Sequence, residues 1–251
     1  MTAATGLSGA EMRAPAIDFR GSAIIGGVTV FEGLCLAIPA RQWTCLLGPS
    51  GVGKSTLLRI LAGLDEDIGG NRTVSTNDNI GLDGRVALMA QQDNLMPWLT
   101  VRDNVLLGSR VRREPADKAR ADLLIAQVGL ADHGHKKPGA LSGGQRQRVA
   151  LARTLMEDRP VVLLDEPFSA LDARIRAEMQ ELAARLFAGR TVCLITHDPG
   201  EAARLGETVY VMGRSGLTAI EPPPTPVIRP YDAPDVLACQ GQLLRLLREL
   251  P

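Results

Sequence analysis

The chain has 251 residues, 45% of them hydrophobic, enough to bury one large core or two smaller lobes. Lysine and arginine together number 28, as do aspartate and glutamate, so no global field argues for a nucleic-acid partner. No run reaches the ~20 apolar residues of a membrane span, and MTAATGLSGAEMRA lacks the basic-then-apolar order of a secretion signal, so the chain is expected inside the cell.

In chain order, residues up to about Ala40, with GGVTVFEGLCLAIP, read as short antiparallel strands. Five apolar runs follow: Trp43–Gly48, Arg85–Ala90, Pro160–Glu166, Thr191–Asp198 and Thr208–Gly213. They are continuous rather than alternating, as parallel strands covered on both faces require. Between them, Leu171, Ile175, Met179, Leu182 and Leu186 form one helical face that stops at Gly189. The charged stretch from Thr100 to about Ala140 reads as a separate helical lobe, and PPPTPVIRP after Glu221 as a stiff linker. Leu243, Leu244, Leu247 and Leu250 then mark a last amphipathic segment. Strands alternating with helices predict an α/β fold with a mostly parallel sheet. Four scattered cysteines (Cys35, Cys45, Cys193, Cys239) show no ligand or disulfide spacing, and Cys45 and Cys193 read as small core residues.

GPSGVGKST, from Gly48 to Thr56, stands where the Trp43 strand ends and a helix opens. It fits G-x-x-x-x-G-K-[ST] at Gly48, Gly53, Lys54 and Ser55, a phosphate-binding loop in its expected strand–loop–helix context. Glycines let backbone N–H groups converge on phosphate oxygens, and the helix start adds its positive end. Lys54 is placed for the β- and γ-phosphates of a nucleoside triphosphate and Ser55 for Mg²⁺. Asp165, closing an apolar strand, is placed to bind Mg²⁺, and Glu166 to polarise water as a general base. His197 ends another strand, where it either senses the γ-phosphate or is structural; the local sequence leaves both open. LSGGQRQRVALARTL is a second helix start built for an anion: Ser142 can cap, and Gly143 and Gly144 expose N–H groups. Since the first loop already surrounds the phosphates, the economical reading gives this second site to the nucleotide of another copy.

With SALD (Ser169–Asp172) and ITHD, these motifs resemble, in order and spacing, the ATP-binding cassette (ABC) transporter ATPases, from about Ile17 to Glu221. The resemblance implies a P-loop NTPase core with an N-terminal antiparallel β subdomain and a helical subdomain at about 100–155, within an ATP-binding domain at 14–221. Residues 222–251 would be the proline-rich linker and C-terminal helix. It implies a homodimer with two ATP sites, each lined by Gly48, Pro49, Ser50, Gly51, Val52, Gly53, Lys54, Ser55 and Thr56 of one copy. The other copy would supply Ser142, Gly143, Gly144 and Gln145. Gln91 would contact Mg²⁺ or the lytic water, Asp172 would lie in the loop linking the two sites, and His197 would be the switch histidine.

One segment, AQQDNLMPWLTV, puts Leu95, Met96, Pro97, Trp98 and Leu99 directly after Gln91. In importers of this family the corresponding segment lines a groove for a cytoplasmic helix of the permease. Leu95, Met96, Trp98 and Leu99 are therefore expected to form a docking surface, with core packing as the competing reading. LMPWLTVRDNV and DEPFSALDARIRAEMQ resemble importers of nitrate, sulfonates, taurine and thiamine pyrimidine precursors, which use a periplasmic or lipid-anchored solute-binding protein and two permease subunits. The chain is then expected as a peripheral protein at the cytoplasmic face of the inner membrane. The large C-terminal regulatory domain of some importers has no counterpart after Glu221. Two departures stand out: Ile25 lies where the family usually stacks adenine on an aromatic, with Phe19 and Phe31 at the wrong spacing, and Ala90 precedes Gln91 where an aromatic is usual. A soluble, non-transport ABC ATPase is the alternative, although the long coiled-coil insertions of that class are missing.

Overall fold

Gly26 and Gly27, with φ of 57° and 81°, close the first hairpin of the computed structural model, which describes residues 13–250. Two consecutive positive φ values make the tight turn whose twist suits antiparallel strands, and Ile25 faces Val28 across it. The hairpin joins β1 (Ile17–Ile25) to β2 (Val28–Ile38), strands of nine and eleven residues where the sequence pattern predicts short ones. β3 (Trp43–Leu47) then leads into α1 (Lys54–Leu61), β4 (Arg72–Thr76) and β5 (Val86–Met89). β4 pairs antiparallel with β1, giving a three-stranded sheet ordered β2-β1-β4. Four of the five β4 residues are at least partly exposed, so the strand carries no apolar run to betray it.

Helices follow: α2 (Val101–Val105), α3 (Leu107–Arg112), α4 (Lys118–Gln127) and α5 (Gly143–Met156), with short 3-10 turns at Ala131–His133 and Pro138–Ala140. The chain continues through β6 (Val161–Asp165), α6 (Ala173–Leu186), β7 (Thr191–Ile195), α7 (Pro199–Leu205), β8 (Thr208–Gly213), β9 (Gly216–Ile220) and α8 (Pro234–Glu249). The larger sheet has the order β5-β6-β7-β3-β8-β9. β3 lies parallel to both β7 and β8, and the edge strand β9 runs antiparallel to β8. Every residue of β3, β6 and β7 is buried, which is why their sequences are continuous apolar runs rather than alternating ones. No helix among the described residues is long and apolar enough to cross a membrane. The leaderless N-terminus read from the sequence falls almost wholly on residues 1–12, outside the described residues.

The chain divides into two compact units. Among the described residues, the first comprises 13–86, 159–163 and 189–250, and the second 87–158 and 164–188. In the first, Phe19 and Phe31 meet edge to face at 6.0 Å inside the core, a favourable arrangement for two aromatic rings. Cys45 is fully buried there, and burial pushes its thiol well above the usual range, in keeping with a small core residue. In the second, α5 buries Val149, Ala152 and Leu155 and packs against α2 and α4, which bury Val101, Val105, Leu124 and Ile125.

The proline-rich stretch is fastened within the first unit by Arg229, only 3% exposed. Its guanidinium donates to the carbonyl oxygens of Thr225 (2.7 Å), Ala203 (3.0 Å), Gly206 (2.8 Å) and Pro223 (2.8 Å), binding the linker to α7. Arg204 returns a bond from Nε to Arg229 O at 2.8 Å and lies 3.8 Å over the Tyr231 ring. Arg229→Met would leave four carbonyls without their donor, and we expect a loss of about 2–4 kcal/mol in urea unfolding. A midpoint equal to wild type would contradict this clasp.

Candidate active site

The phosphate-binding loop runs from the end of β3 into α1, and its geometry is set by Gly53. This residue has φ of 103°, and a Cβ there would lie 2.7 Å from Val30 Cγ1 and 2.8 Å from Phe31 Cδ1 of β2. Only glycine allows that approach. Lys54 is 7% exposed and its Nζ donates to Gly48 O and Pro49 O, both at 2.8 Å, so the ammonium draws the loop around itself. An α-helix leaves its first-turn N–H groups without helical acceptors, and no side chain caps α1. A glycine-shaped loop, a lysine and an uncapped helix start together fit a phosphate chain.

On the neighbouring strand β7, Ile195 stands opposite Leu46 of β3, and Thr196 N–H donates to Leu46 O at 3.2 Å. His197 therefore emerges at the same edge of the sheet as the phosphate loop, its side chain exposed after the buried Thr196. Thr196 fixes this corner: its Oγ1 donates to Glu201 Oε2 at 2.6 Å and accepts from Asp198 N–H at 3.0 Å. Asp198 in turn caps α7 through Gly200 N–H at 2.7 Å.

In the second unit, Asp165 is the last residue of β6 and Glu166 turns the chain with φ of 49°. A left-handed non-glycine residue costs about 1–2 kcal/mol, so its surroundings must hold it. Three donors converge on its carbonyl oxygen: Gln147 Nε2 at 3.0 Å, Ser169 Oγ at 3.0 Å and Ser169 N–H at 3.3 Å. Gln91 Nε2 meanwhile donates to Glu166 Oε2 at 3.3 Å, bringing two of the expected catalytic residues into direct contact. Ser55 in the first unit and Asp165 in the second are each a hard oxygen donor of the kind Mg²⁺ takes. No cluster of three or more His, Cys, Asp or Glu able to hold a metal occurs among the described residues.

α5 starts with a full capping box: Gln145 N–H donates to Ser142 Oγ at 3.3 Å, and Ser142 N–H to Gln145 Oε1 at 2.9 Å. Asp172 caps α6, accepting from Ile175 N–H at 3.0 Å, so its carboxylate is engaged within its own chain. Arg146 pairs with Asp93 at 2.9 Å, and Arg153 donates to Asp93 O at 2.7 Å and Asn94 O at 2.8 Å. A cavity of about 370 Å³ lies among Gln91–Asn94, the start of α5, and Ser169 and Ala170. Gln147, Arg146 and Arg153 escape a motif-based reading because their work is done by long polar side chains reaching across the fold.

The apolar segment after Gln91 needs one correction. Leu95 is only 8% exposed and belongs to the core, so it offers no docking surface. Met96 and Leu99 are half-buried, while Trp98 is 67% exposed. The loop owes its shape to the fully buried Asn104, which accepts from Met96 N–H at 2.8 Å. The Asn104 amide donates to the carbonyls of Met96 (3.2 Å), Leu99 (3.3 Å) and Thr100 (2.9 Å). Phe19 and Phe31, facing each other inside the core, are not presented for stacking; Ile25 sits half-buried beside the hairpin turn.

Compared with known proteins, residues 31–169 match the family described as ABC transporter. The chain is 41% identical over 233 residues to an uncharacterized ABC transporter ATP-binding protein of Haemophilus influenzae, covering 90% of this chain and 95% of that protein. It is 43% identical to an aliphatic sulfonates import ATP-binding protein of Rhizobium johnstonii, covering 87% of this chain and 81% of the relative. Among solved structures, a dimeric post-hydrolysis state of an ATP-binding cassette bound to ADP and Pi superposes with a TM-score of 0.71 at 28% identity. That match covers 82% of this chain and 98% of the other.

Proposed function

The chain belongs to the importer-type ATP-binding subunits of ABC transporters and is an ATPase, and we propose that it powers bacterial uptake of a small, sulfonate-like solute as a homodimer with two composite ATP sites. The observation that carries the catalytic assignment is the Glu166 carboxylate, one residue beyond Asp165 and bonded by Gln91 at 3.3 Å. Relatives named as import proteins favour transport over a soluble, non-transport ATPase.

In this reading, the Gly48–Thr56 loop binds the triphosphate, with Lys54 releasing its loop carbonyls to neutralise β- and γ-phosphate oxygens. Mg²⁺, when bound, supplies charge neutralisation at those oxygens, and the Ser55 hydroxyl and Asp165 carboxylate would hold it. Glu166 takes a proton from water as the oxygen attacks the γ-phosphorus and the bond to ADP breaks. Gln91 orients the Glu166 carboxylate, and His197 monitors the γ-phosphate from the β7 edge. The N–H groups of Gly143 and Gly144, behind Ser142, serve the partner copy's nucleotide. Glu166→Gln should keep ATP binding and trap an ATP-bound dimer while lowering turnover at least about a hundredfold, since only the base is lost. Near wild-type phosphate release would sink the assignment.

The dimer has its own test. Ser142→Arg spoils the helix start offered to the partner, and Lys54→Ala spoils the phosphate loop. Mixed together, the two inactive chains form dimers in which one composite site carries both defects and the other carries neither. ATPase activity should reappear on mixing, at no more than about half the wild-type turnover per dimer. Two inactive chains that stay inactive together would rule out shared sites.

The permease surface centres on Trp98, with Met96 and Leu99 at its margin. Because Trp98 is 67% exposed, Trp98→Glu should leave the melting temperature and basal ATPase of the isolated subunit unchanged. Assembly with the permease should weaken by about 2 kcal/mol or more, since the substitution removes an aromatic anchor and desolvates a carboxylate. A subunit that melts early would return Trp98 to the core, and an unaltered pull-down would end the docking assignment.

A further inference from the structure

The hydrogen bonds around Glu166 form a closed circuit through α5. Gln147, five residues beyond the Ser142 cap, is 6% exposed and has both amide groups in use. Its Nε2 donates to Glu166 O at 3.0 Å and its Oε1 accepts Ala170 N–H at 2.9 Å. The same helix grips the other side of the site. Arg146 holds the Asp93 carboxylate and Arg153 the Asp93 and Asn94 carbonyls, just after Gln91, whose amide donates to Glu166 Oε2. Any displacement of α5 is therefore felt at Glu166 twice, at the carbonyl through Gln147 and at the carboxylate through Gln91.

That geometry matters because α5 begins with Ser142, Gly143 and Gly144. We infer that Gln147 is a positioning residue that makes the Glu166 turn of one ATP site depend on the seating of the helix start that reads the other copy's nucleotide. The inference rests on the two-site reading above. Glu166 sits at φ of 49°, a conformation that relaxes when its carbonyl loses donors. Gln147 removes that freedom while α5 is seated, and passes any shift of the helix on to the turn. Nucleotide bound in trans thereby sets the orientation of the base in cis, without Gln147 touching substrate.

Gln147→Met keeps length and volume and removes both hydrogen bonds. Ser169→Ala, at an exposed position, withdraws another donor from the same carbonyl without disturbing the core. With purified full-length chain, we expect kcat to fall about tenfold or more in Gln147→Met and about threefold in Ser169→Ala, with KM for ATP within about twofold of wild type. In a Glu166→Gln background, ATP should trap the dimer equally well whether position 147 holds Gln or Met, because the step affected follows closure. A kcat within about twofold of wild type in both variants overturns the inference. So does a loss of turnover accompanied by equal losses of dimer trapping and melting temperature, which would make Gln147 a packing residue only. If Glu166→Gln alone hydrolyses ATP normally, the catalytic reading itself has failed; if Glu166→Gln is inactive and Gln147→Met is normal, only the coupling has.

Discussion

A buried amide must satisfy its donor and its acceptor together, and Gln147 does so by tying Glu166 O to Ala170 N–H. The rest of the second unit is arranged around that demand. α5 must be rigid to hold the amide in place, and it is: capped at Ser142, packed on α2 and α4, and pinned to the 93–94 backbone by Arg153. Glu166 can then occupy a left-handed conformation that an unsupported turn would leave. The local strain and the polar network explain each other.

Helix starts divide the labour in this chain. α2, α4, α5, α6 and α7 each donate an N-terminal backbone N–H to a capping side chain, at Thr100, Asp117, Ser142, Asp172 and Asp198. α1, α3 and α8 have none, and of these three only α1 carries a glycine at the cap position. A side-chain oxygen is an internal substitute for an anion, so its omission at α1, where a glycine-shaped loop and Lys54 lead into the helix, fits the proposed phosphate site. At α5 the Ser142 and Gln145 side chains take up two backbone N–H groups, yet the Gly143 and Gly144 positions between them stay free of bulk that would hinder a second chain.

Much of this could be read from the sequence because the informative residues are consecutive. The strands β3, β6 and β7 are contiguous apolar runs, and the loop Gly48–Thr56 is a contiguous motif at the end of one of them. The likeness to ABC transporters, carried by those motifs, is the same one the family and relative comparisons give. What stayed hidden depends on residues far apart in the chain. β4 exists because β1 has a free edge, since RTVST by itself has one apolar residue. Gln147 meets Glu166 across nineteen positions, and Arg153 reaches Asp93 across sixty. Leu95 was misplaced because a run of five large apolar residues does not say which ones face inward. Asn104 decides that, nine residues later, by fastening the backbone at Met96, Leu99 and Thr100.

That fastening bears on why a tryptophan stands in water. Aromatic residues make up 3% of this chain, and a large apolar side chain left exposed forgoes about 1.5–3 kcal/mol of burial. A flexible loop would recover much of that by folding Trp98 against its neighbours. Here Asn104 prevents it with four hydrogen bonds from a fully buried position, and Pro97 stiffens the residue before. Leu95, two residues upstream of Pro97, meanwhile anchors the loop in the core, so the same five-residue run is divided between holding and presenting. Such a loop forgoes burial and holds an apolar side chain outward in one orientation, the arrangement that the proposed permease docking would use. The run also begins four residues after Gln91, the side chain that contacts Glu166. A partner seated on Trp98 would therefore be joined to Glu166 by a short, proline-stiffened segment, and through Arg146 and Arg153 to α5 as well.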